Sequence, residues 1–157
     1  MASIRSGIGE NMEDRYLYKA KTTPKEKGEF NNVWVTGNLI VSNGKYYIHP
    51  VGNVVNVKNE TGRIIVMHEV IPDTICQCTG LKDKNGKLIW ENDIAKDEHG
   101  NFYKAFWQNN YYQFSWFCVK TDVFPIGAKW DLWSFKSFEI EVIGNIFDNP
   151  ELLESEE

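Results

Sequence analysis

Short runs of alternating apolar and polar residues, separated by turn residues, make up most of the chain. The pattern is clearest in two runs, residues 102–108 and 111–120. The Asn109-Asn110 pair between them accepts positive φ, so it favours a tight type I′ turn that pairs Gln108 with Tyr111. In this register one face of the hairpin is predicted to be core, and it carries Tyr103, Ala105, Trp107, Tyr112, Phe114, Trp116 and Cys118.

The opposite face of this hairpin is rich in aromatic residues for a surface. It carries Phe102, Lys104, Phe106, Tyr111, Gln113, Ser115 and Phe117. Two explanations remain open: the N-terminal strands fold over this face, or another subunit or a partner protein covers it. The aromatic residues are therefore candidate interface residues, namely Phe102, Phe106, Tyr111 and Phe117.

Residues 79–94 predict a second hairpin. Asp83 suits the first position of a type I turn, and Gly86 suits the left-handed residue that completes the loop. The resulting three-residue loop pairs Asp83 with Lys87, so that opposite charges meet. The same register also pairs Leu81 with Ile89 and Gly80 with Trp90. A two-residue loop would instead set Asp83 against Leu88, and the first register is preferred.

A further turn follows this hairpin at residues 91–93. Asn92 accepts positive φ there, and strand structure resumes at Ile94. The residues of this turn motif are predicted to be structural, and they are Thr79, Gly80, Asp83, Asn85, Gly86, Asn92 and Asp93.

The remaining elements complete a mainly β prediction. Further strands are predicted at residues 15–20, 33–41, 46–48, 54–57, 64–67, 74–79 and 138–143. Gly37 is expected to mark a bulge, and Asn43-Gly44 a hairpin turn. Near the end of the chain, Asn149 as a cap and Pro150 at the first helical position predict a short C-terminal helix.

Length and composition agree with one globular domain. The chain has 157 residues, enough to bury a core without disulfides or a structural metal. Residues 1–11 show no periodicity, and we interpret them as a flexible leader or a non-native addition. No Pro- or Ser-rich linker divides residues 12–157, so a single domain is expected there.

The net charge of −5 disfavours nonspecific binding to nucleic acid, which depends on clustered cations. The richest basic run is Lys82, Lys84 and Lys87. At a hairpin tip such a run is either a solvated surface or a contact for phosphate. Nucleic-acid binding is therefore possible but disfavoured.

The cysteines and the hydrophobic pattern bear on location. Three cysteines are an odd number, and Cys76 and Cys78 lie two apart on one predicted strand face, which is unsuitable for an ordinary disulfide. This favours a reducing, cytoplasmic environment. No apolar run reaches membrane-spanning length, so no membrane association is predicted.

Candidate catalytic groups are few. No serine elbow, phosphate loop, zinc-protease helix or calcium loop is present. Cys118 with a histidine, the Glu91 and Asp93 carboxylates, and a zinc site from Cys76, Cys78 and a distant histidine each have a structural alternative that we prefer. We therefore predict no catalytic residue, cofactor or metal, and no enzymatic activity.

Several runs carry a family resemblance. They are Asp73 to Lys87, Glu91 to Ile94 and Ile140 to Leu153, with support from residues 15–21 and 34–37. Together they resemble the YopX family of phage and prophage proteins, and the similarity covers nearly all of the chain from Met12. The family usually has an aromatic residue where Cys78 stands and a glycine where Asn92 stands. Asparagine accepts positive φ, so the turn should survive.

The resemblance implies a phage or prophage protein with a mainly β fold: antiparallel hairpins form a small SH3-like barrel, with an added N-terminal β region. Residues 12–157 would then be a single YopX-like domain that self-associates into a homo-oligomer. The resemblance implies no activity. Our leading hypothesis is a non-enzymatic, cytoplasmic protein that binds an unidentified host or phage protein, with a regulatory or anti-defence role. The alternative is a nucleic-acid-binding small β-barrel that uses Lys82, Lys84 and Lys87.

Overall fold

The computed structural model describes residues 12–24, 31–51, 66–134 and 139–154. Its strands form two antiparallel sheets. The first sheet has the order β4-β3-β2-β1-β5-β6, and the second has the order β10-β9-β8-β7-β11. The strands are β1 Tyr18–Lys21, β2 Trp34–Ser42, β3 Lys45–Pro50, β4 His68–Glu69, β5 Cys76–Lys82, β6 Leu88–Trp90, β7 Asp93–Asp97, β8 Phe102–Gln108, β9 Gln113–Lys120, β10 Lys129–Asp131 and β11 Ile140–Asn145.

The mainly β prediction is confirmed, but the predicted barrel and C-terminal helix are not. Within the described ranges neither sheet closes into a barrel, because its two edge strands do not pair with each other: β4 and β6 in the first sheet, β10 and β11 in the second. The chain passes from the first sheet to the second between β6 and β7. The left-handed residue Asn92, at φ 65°, makes this crossing. The C-terminal segment Pro150–Leu153 is one 3-10 turn, and the side chain of Asn149 makes no cap hydrogen bond to it.

The other regular segments are also short. They are the 3-10 helices Met12–Tyr16, Pro72–Thr74 and Leu132–Ser134. The first of these replaces the start of the strand predicted at residues 15–20, since β1 begins only at Tyr18. No helix in the described part of the chain is long and apolar enough to cross a membrane. The strand predicted at residues 54–57, the first half of the strand predicted at residues 64–67, Phe138 and the leader at residues 1–11 lie outside the described residues. The second half of that strand, residues 66–67, is not a strand, since β4 begins at His68.

The local turn predictions are largely confirmed. Asn43 and Gly44 have φ values of 51° and 73° and join β2 to β3. Gly37, however, does not form a bulge, because it pairs regularly with Tyr18 and with Pro50. A side chain at Gly37 would collide with the backbone of β3. Glycine is therefore required there for close strand approach.

The hairpin of β5 and β6 confirms the predicted loop but not the register beyond it. The Asp83 N–H donates to the Lys87 carbonyl at 2.8 Å, and Gly86 takes the expected left-handed conformation. Further along, Cys78 and not Gly80 lies opposite Trp90. Between these pairs, residues 79–81 of β5 lie opposite the single residue Ile89 of β6. Thr79 stabilises this irregularity, because its Oγ1 donates to the Ile89 carbonyl at 2.7 Å and accepts from the Leu81 N–H at 3.2 Å.

The register predicted for β8 and β9 is wrong by two residues. Gln108 pairs with Gln113 and not with Tyr111, so the loop is residues 109–112. Its left-handed residue is Tyr112, at φ 53°, and neither asparagine takes positive φ. A slip of two residues keeps each side chain on its predicted face.

The predicted core face is therefore confirmed in the middle of the hairpin and wrong at its tip. Tyr103, Ala105, Trp116 and Cys118 are at most 1% exposed. They share one core with Ile89, Ala95, Leu132, Ile140 and Val142. Trp107 and Tyr112, in contrast, are 38% and 81% exposed, because the longer loop carries them past the end of the core.

Two ion pairs join the sheets, and we call their four residues together with Trp34 the inter-sheet cluster: Lys19, Lys21, Asp93, Asp148 and Trp34. Lys19 Nζ of β1 lies 2.7 Å from Asp93 Oδ1 of β7, and Asp93 is 2% exposed. Lys21 Nζ lies 2.6 Å from Asp148 Oδ1, and Trp34 Nε1 donates to Asp148 Oδ2 at 2.7 Å. Lys19 Nζ also lies 5.1 Å from the ring centroid of Trp34. The cluster fixes the first sheet against β7 and the turn after β11.

Acid should weaken this cluster through Asp148. Partial burial would raise its pKa, but hydrogen bonds from Lys21, Asn145 and Trp34 lower it from 3.8 to about 2. Because the folded-state pKa is depressed, the stability from Asp148 is complete above about pH 4 and is lost as the pH falls towards 2. Denaturant titrations of the natural chain and Asp148→Asn should therefore differ at pH 6 and converge at pH 2. A difference that does not change between these pH values would contradict this assignment.

Candidate interaction surface

The outer face of the second sheet carries the aromatic residues that the sequence assigned to an interface. Phe106 of β8 and Phe117 of β9 contact each other edge to face, with ring centroids 6.0 Å apart. Phe102 lies on β8, and all three phenylalanines are half-buried. Their neighbours along the strands, Tyr103 and Trp116, point into the core, so the strand alternation fixes the outward direction of these rings.

Each of these rings has a lysine ammonium group over it. Lys104 Nζ lies 5.7 Å from the Phe117 centroid, Lys129 Nζ lies 5.7 Å from that of Phe106, and Lys120 Nζ lies 5.6 Å from that of Phe102. These distances are within the range of cation–π contacts. In the described part of the chain, neither Lys104 nor Lys129 forms an ion pair with a carboxylate. The face is therefore locally basic in a chain whose net charge is −5.

Tyr111 lies at the hairpin end of the same surface. It belongs to the loop of residues 109–112 and is 68% exposed. It lines a depression of about 370 Å³ together with Gln108, Gln113, Lys129 and Asp131. We call the whole surface the aromatic–lysine face, and it consists of Phe102, Lys104, Phe106, Tyr111, Phe117, Lys120 and Lys129.

The structure thus brings the four predicted interface residues to one surface. Phe102, Phe106 and Phe117 stay partly exposed, so the described residues do not cover this surface completely. Those strands lie in the first sheet. The prediction that a subunit or partner protein binds here stays a prediction.

The contacts of the lysines with these rings were not predicted from the sequence. Lys104 alternates with Phe102 and Phe106, so strand periodicity was sufficient to place it on this face. Lys129 could not be found in this way, since its position over Phe106 depends on β10 pairing with β9.

The second candidate surface, Lys82, Lys84 and Lys87, lies at the tip of the hairpin of β5 and β6. Lys82 and Lys87 are exposed, but Lys84 Nζ lies 2.7 Å from Glu141 Oε2. The hydrogen bond from Lys84 lowers the pKa of Glu141. The positive charge of this tip is therefore partly neutralised, and its contact with nucleic acid stays a prediction.

The candidate catalytic groups have structural surroundings. Cys76, Cys78 and Cys118 are free and buried, and burial raises the pKa of each thiol, that of Cys76 to about 11. A thiol held protonated in this way is a poor nucleophile. Across the described residues, no group of three or more His, Cys, Asp or Glu side chains is arranged to hold a metal ion.

The two carboxylates of the turn at residues 91–93 also serve the fold. Asp93 Oδ2 accepts the Trp90 N–H at 2.9 Å, as the sequence predicted for a turn. Its Oδ1 pairs with Lys19, which the sequence did not indicate. The pKa of Glu91 is raised by burial, and hydrogen bonds from the backbone N–H groups of Gln77 and Trp107 offset only part of this increase.

Comparison with known proteins gives a family match over most of the chain. The model of the YopX protein family matches residues 12–154 of this chain. No curated protein matches it.

Proposed function

The chain belongs to the YopX family, and we propose that it is a non-enzymatic binding protein that recognises an acidic partner protein through its aromatic–lysine face. Membership of this family suggests a phage- or prophage-associated protein. The partner would then be a host or phage protein in the bacterial cytoplasm, and the role would be regulatory or anti-defence.

One observation carries this proposal: three phenylalanine rings and three lysine ammonium groups alternate on one partly exposed sheet face. Aromatic side chains in the centre of an interface supply much of the binding free energy. Lysines around them attract carboxylates and increase the rate of association. Because the rest of the chain is acidic, an acidic partner is repelled elsewhere and is oriented towards this face.

The test is capture of a partner from nuclease-treated host lysate with the tagged chain, read by mass spectrometry. Phe106→Glu and Tyr111→Glu should each reduce recovery of the partner at least about tenfold, because hot-spot residues typically contribute about 2 kcal/mol or more. Val41→Glu is the matched control, since Val41 is 59% exposed on the first sheet and receives the same charge.

We also propose that the chain self-associates, with sedimentation velocity as the measurement. The same variants, shown to be folded, report on this assembly. If Phe106→Glu and Tyr111→Glu leave both the oligomeric state and partner recovery unchanged, the aromatic–lysine face is not the binding surface.

The alternative candidate is binding of single-stranded nucleic acid. Rings interleaved with lysines on a sheet face are also suitable for base stacking and phosphate contacts, and Lys82, Lys84 and Lys87 would add to the charge. Capture without nuclease distinguishes the two candidates. Nucleic acid recovered alone, with binding that weakens as salt is added, supports the alternative, and binding insensitive to salt contradicts it.

A further inference from the structure

A cleft distinct from the aromatic–lysine face lies between the 3-10 helix Met12–Tyr16, strand β5 and the tip of the hairpin of β8 and β9. Its volume is about 380 Å³, which is within the range of small-molecule sites. Its wall includes Arg15, Tyr16, Gln77, Trp107, Tyr112 and Phe114.

Four aromatic rings line this wall, and three of them are open to solvent. Tyr16, Trp107 and Tyr112 are 70%, 38% and 81% exposed. The Trp107 indole is held by an edge-to-face contact with Phe114, at a centroid separation of 5.0 Å. Large rings exposed together around a cavity are unusual on a monomer surface and indicate a site for an apolar or planar ligand.

The backbone at Tyr112 supports a functional origin for this arrangement. Its φ of 53° lies in the left-handed region, which is unfavourable for a bulky residue without a local hydrogen-bonding side chain. Strain of this kind is concentrated at binding and switch sites. Here it keeps the Tyr112 ring at the mouth of the cleft, where it makes little contribution to the core.

Arg15 supplies the charge of the site. Its aliphatic carbons pack beside Gly80, where a side chain would collide with them. Its carbonyl accepts a hydrogen bond from Gln77 Nε2 at 3.4 Å. Among the residues that the structure describes, no carboxylate lies in salt-bridge range of the Arg15 guanidinium. A cation that has no carboxylate partner among the described residues and lies next to exposed rings favours an anionic ligand over a cationic one.

From these observations we infer that the cleft binds a mononucleotide, with the base against the rings of Trp107 and Tyr112 and the phosphate at Arg15. A planar base uses the aromatic wall, and the guanidinium donates to phosphate oxygens. An uncharged aromatic ligand leaves Arg15 unused, and inorganic phosphate leaves the rings unused. The site does not depend on the proposed partner, so the isolated chain is sufficient to test it.

The experiment is isothermal titration calorimetry of the chain with AMP, GMP, CMP and UMP in turn, together with the nucleoside of each and inorganic phosphate. At least one nucleotide should bind with a Kd below about 1 mM. The matching nucleoside and phosphate should each bind at least about tenfold more weakly, because the nucleoside lacks the phosphate contact with Arg15 and phosphate lacks the stacking on the rings. The indole N–H resonance of Trp107 should shift during the titration.

Variants locate the site. Trp107→Ala and Arg15→Gln should each raise the Kd of the bound nucleotide about tenfold, and Arg15→Lys should raise it less. Phe124→Ala is the matched control, because Phe124 is an exposed ring outside the lining of the cleft and outside the aromatic–lysine face. Thermal unfolding verifies that each variant is folded.

Three results would overturn the inference. They are no nucleotide binding up to millimolar concentration, equal binding of phosphate alone, and binding unaffected by both Trp107→Ala and Arg15→Gln. A single-stranded oligonucleotide that binds at least tenfold more tightly than every mononucleotide would overturn the assignment to a free nucleotide.

Discussion

Replacing Asp83 with alanine is expected to lower the free energy of unfolding by about 3 to 4 kcal/mol, because three buried or partly buried N–H groups lose their acceptor. Asp83 is 4% exposed. Its Oδ1 accepts from the N–H groups of Asn85 and Lys87, both at 2.9 Å. Its Oδ2 accepts from the Val142 N–H, also at 2.9 Å. One carboxylate therefore closes the hairpin loop and fixes that loop to β11.

Chemical denaturation measures this effect, with Asp122→Ala as the matched control because Asp122 is exposed. Asp83→Asn should lie between the natural chain and Asp83→Ala, since the amide keeps one acceptor oxygen but presents an N–H₂ donor on its other side. A loss below about 1 kcal/mol for Asp83→Ala would show that water replaces the carboxylate and that the docking of the loop on β11 is dispensable.

Replacing Lys19 with methionine is expected to lower the free energy of unfolding by about 3 to 5 kcal/mol, because the buried Asp93 carboxylate loses its cation. Asp93 is 2% exposed and the Lys19 side chain 14% exposed, so water does not easily compensate. The variant also loses the contacts of the ammonium group with the rings of Trp34 and Trp90. The double variant Lys19→Met/Asp93→Asn should be more stable than Lys19→Met alone, since the unpaired charge is removed.

The loss in Lys19→Met should shrink on acidification. The pKa of Asp93 is raised by burial, and the charge of Lys19 offsets part of this increase. Removing Lys19 therefore raises the pKa of Asp93 further. Ionisation of a carboxyl group whose folded-state pKa is raised destabilises the fold. This penalty is complete above the folded-state pKa and is lost as the pH falls to the pKa of the same group in the unfolded chain. Denaturation between pH 7 and 4 should therefore show the difference from the natural chain decreasing. A constant difference over this range would exclude an unpaired carboxylate as its cause.

The control for Lys19→Met is Lys45→Met. Lys45 pairs with Glu69 at 3.0 Å, but its side chain is 58% exposed. An exposed pair contributes at most about 1 kcal/mol, so Lys45→Met should have little effect. Equal losses for the two variants would show that burial of the Lys19–Asp93 pair does not cause the loss in Lys19→Met.

The candidate surface was predictable in part. The outward residues Phe102, Phe106 and Phe117 follow from strand alternation, and a register error of two residues left them on the same face. The register itself was not predictable from the Asn-Asn pair, because these residues also suit a type I turn. The hairpin uses a longer loop with a left-handed tyrosine instead. That choice exposes Trp107 and Tyr112 and creates the cleft.

The sequence by itself determined the turns at residues 43–44, 83–87 and 91–93 and the direction of most strand side chains. Asn43, Gly44, Gly86 and Asn92 adopt left-handed backbone because asparagine and glycine tolerate positive φ. Period-two alternation sets which face of a strand each side chain is on. The tertiary structure alone decided the division into two sheets, the pairing of β10 with β9, and the ion pair of Lys19 with Asp93, 74 positions apart. Such contacts join residues distant in the chain, and their free energy depends on burial and on the arrangement of both partners, which local preferences do not encode.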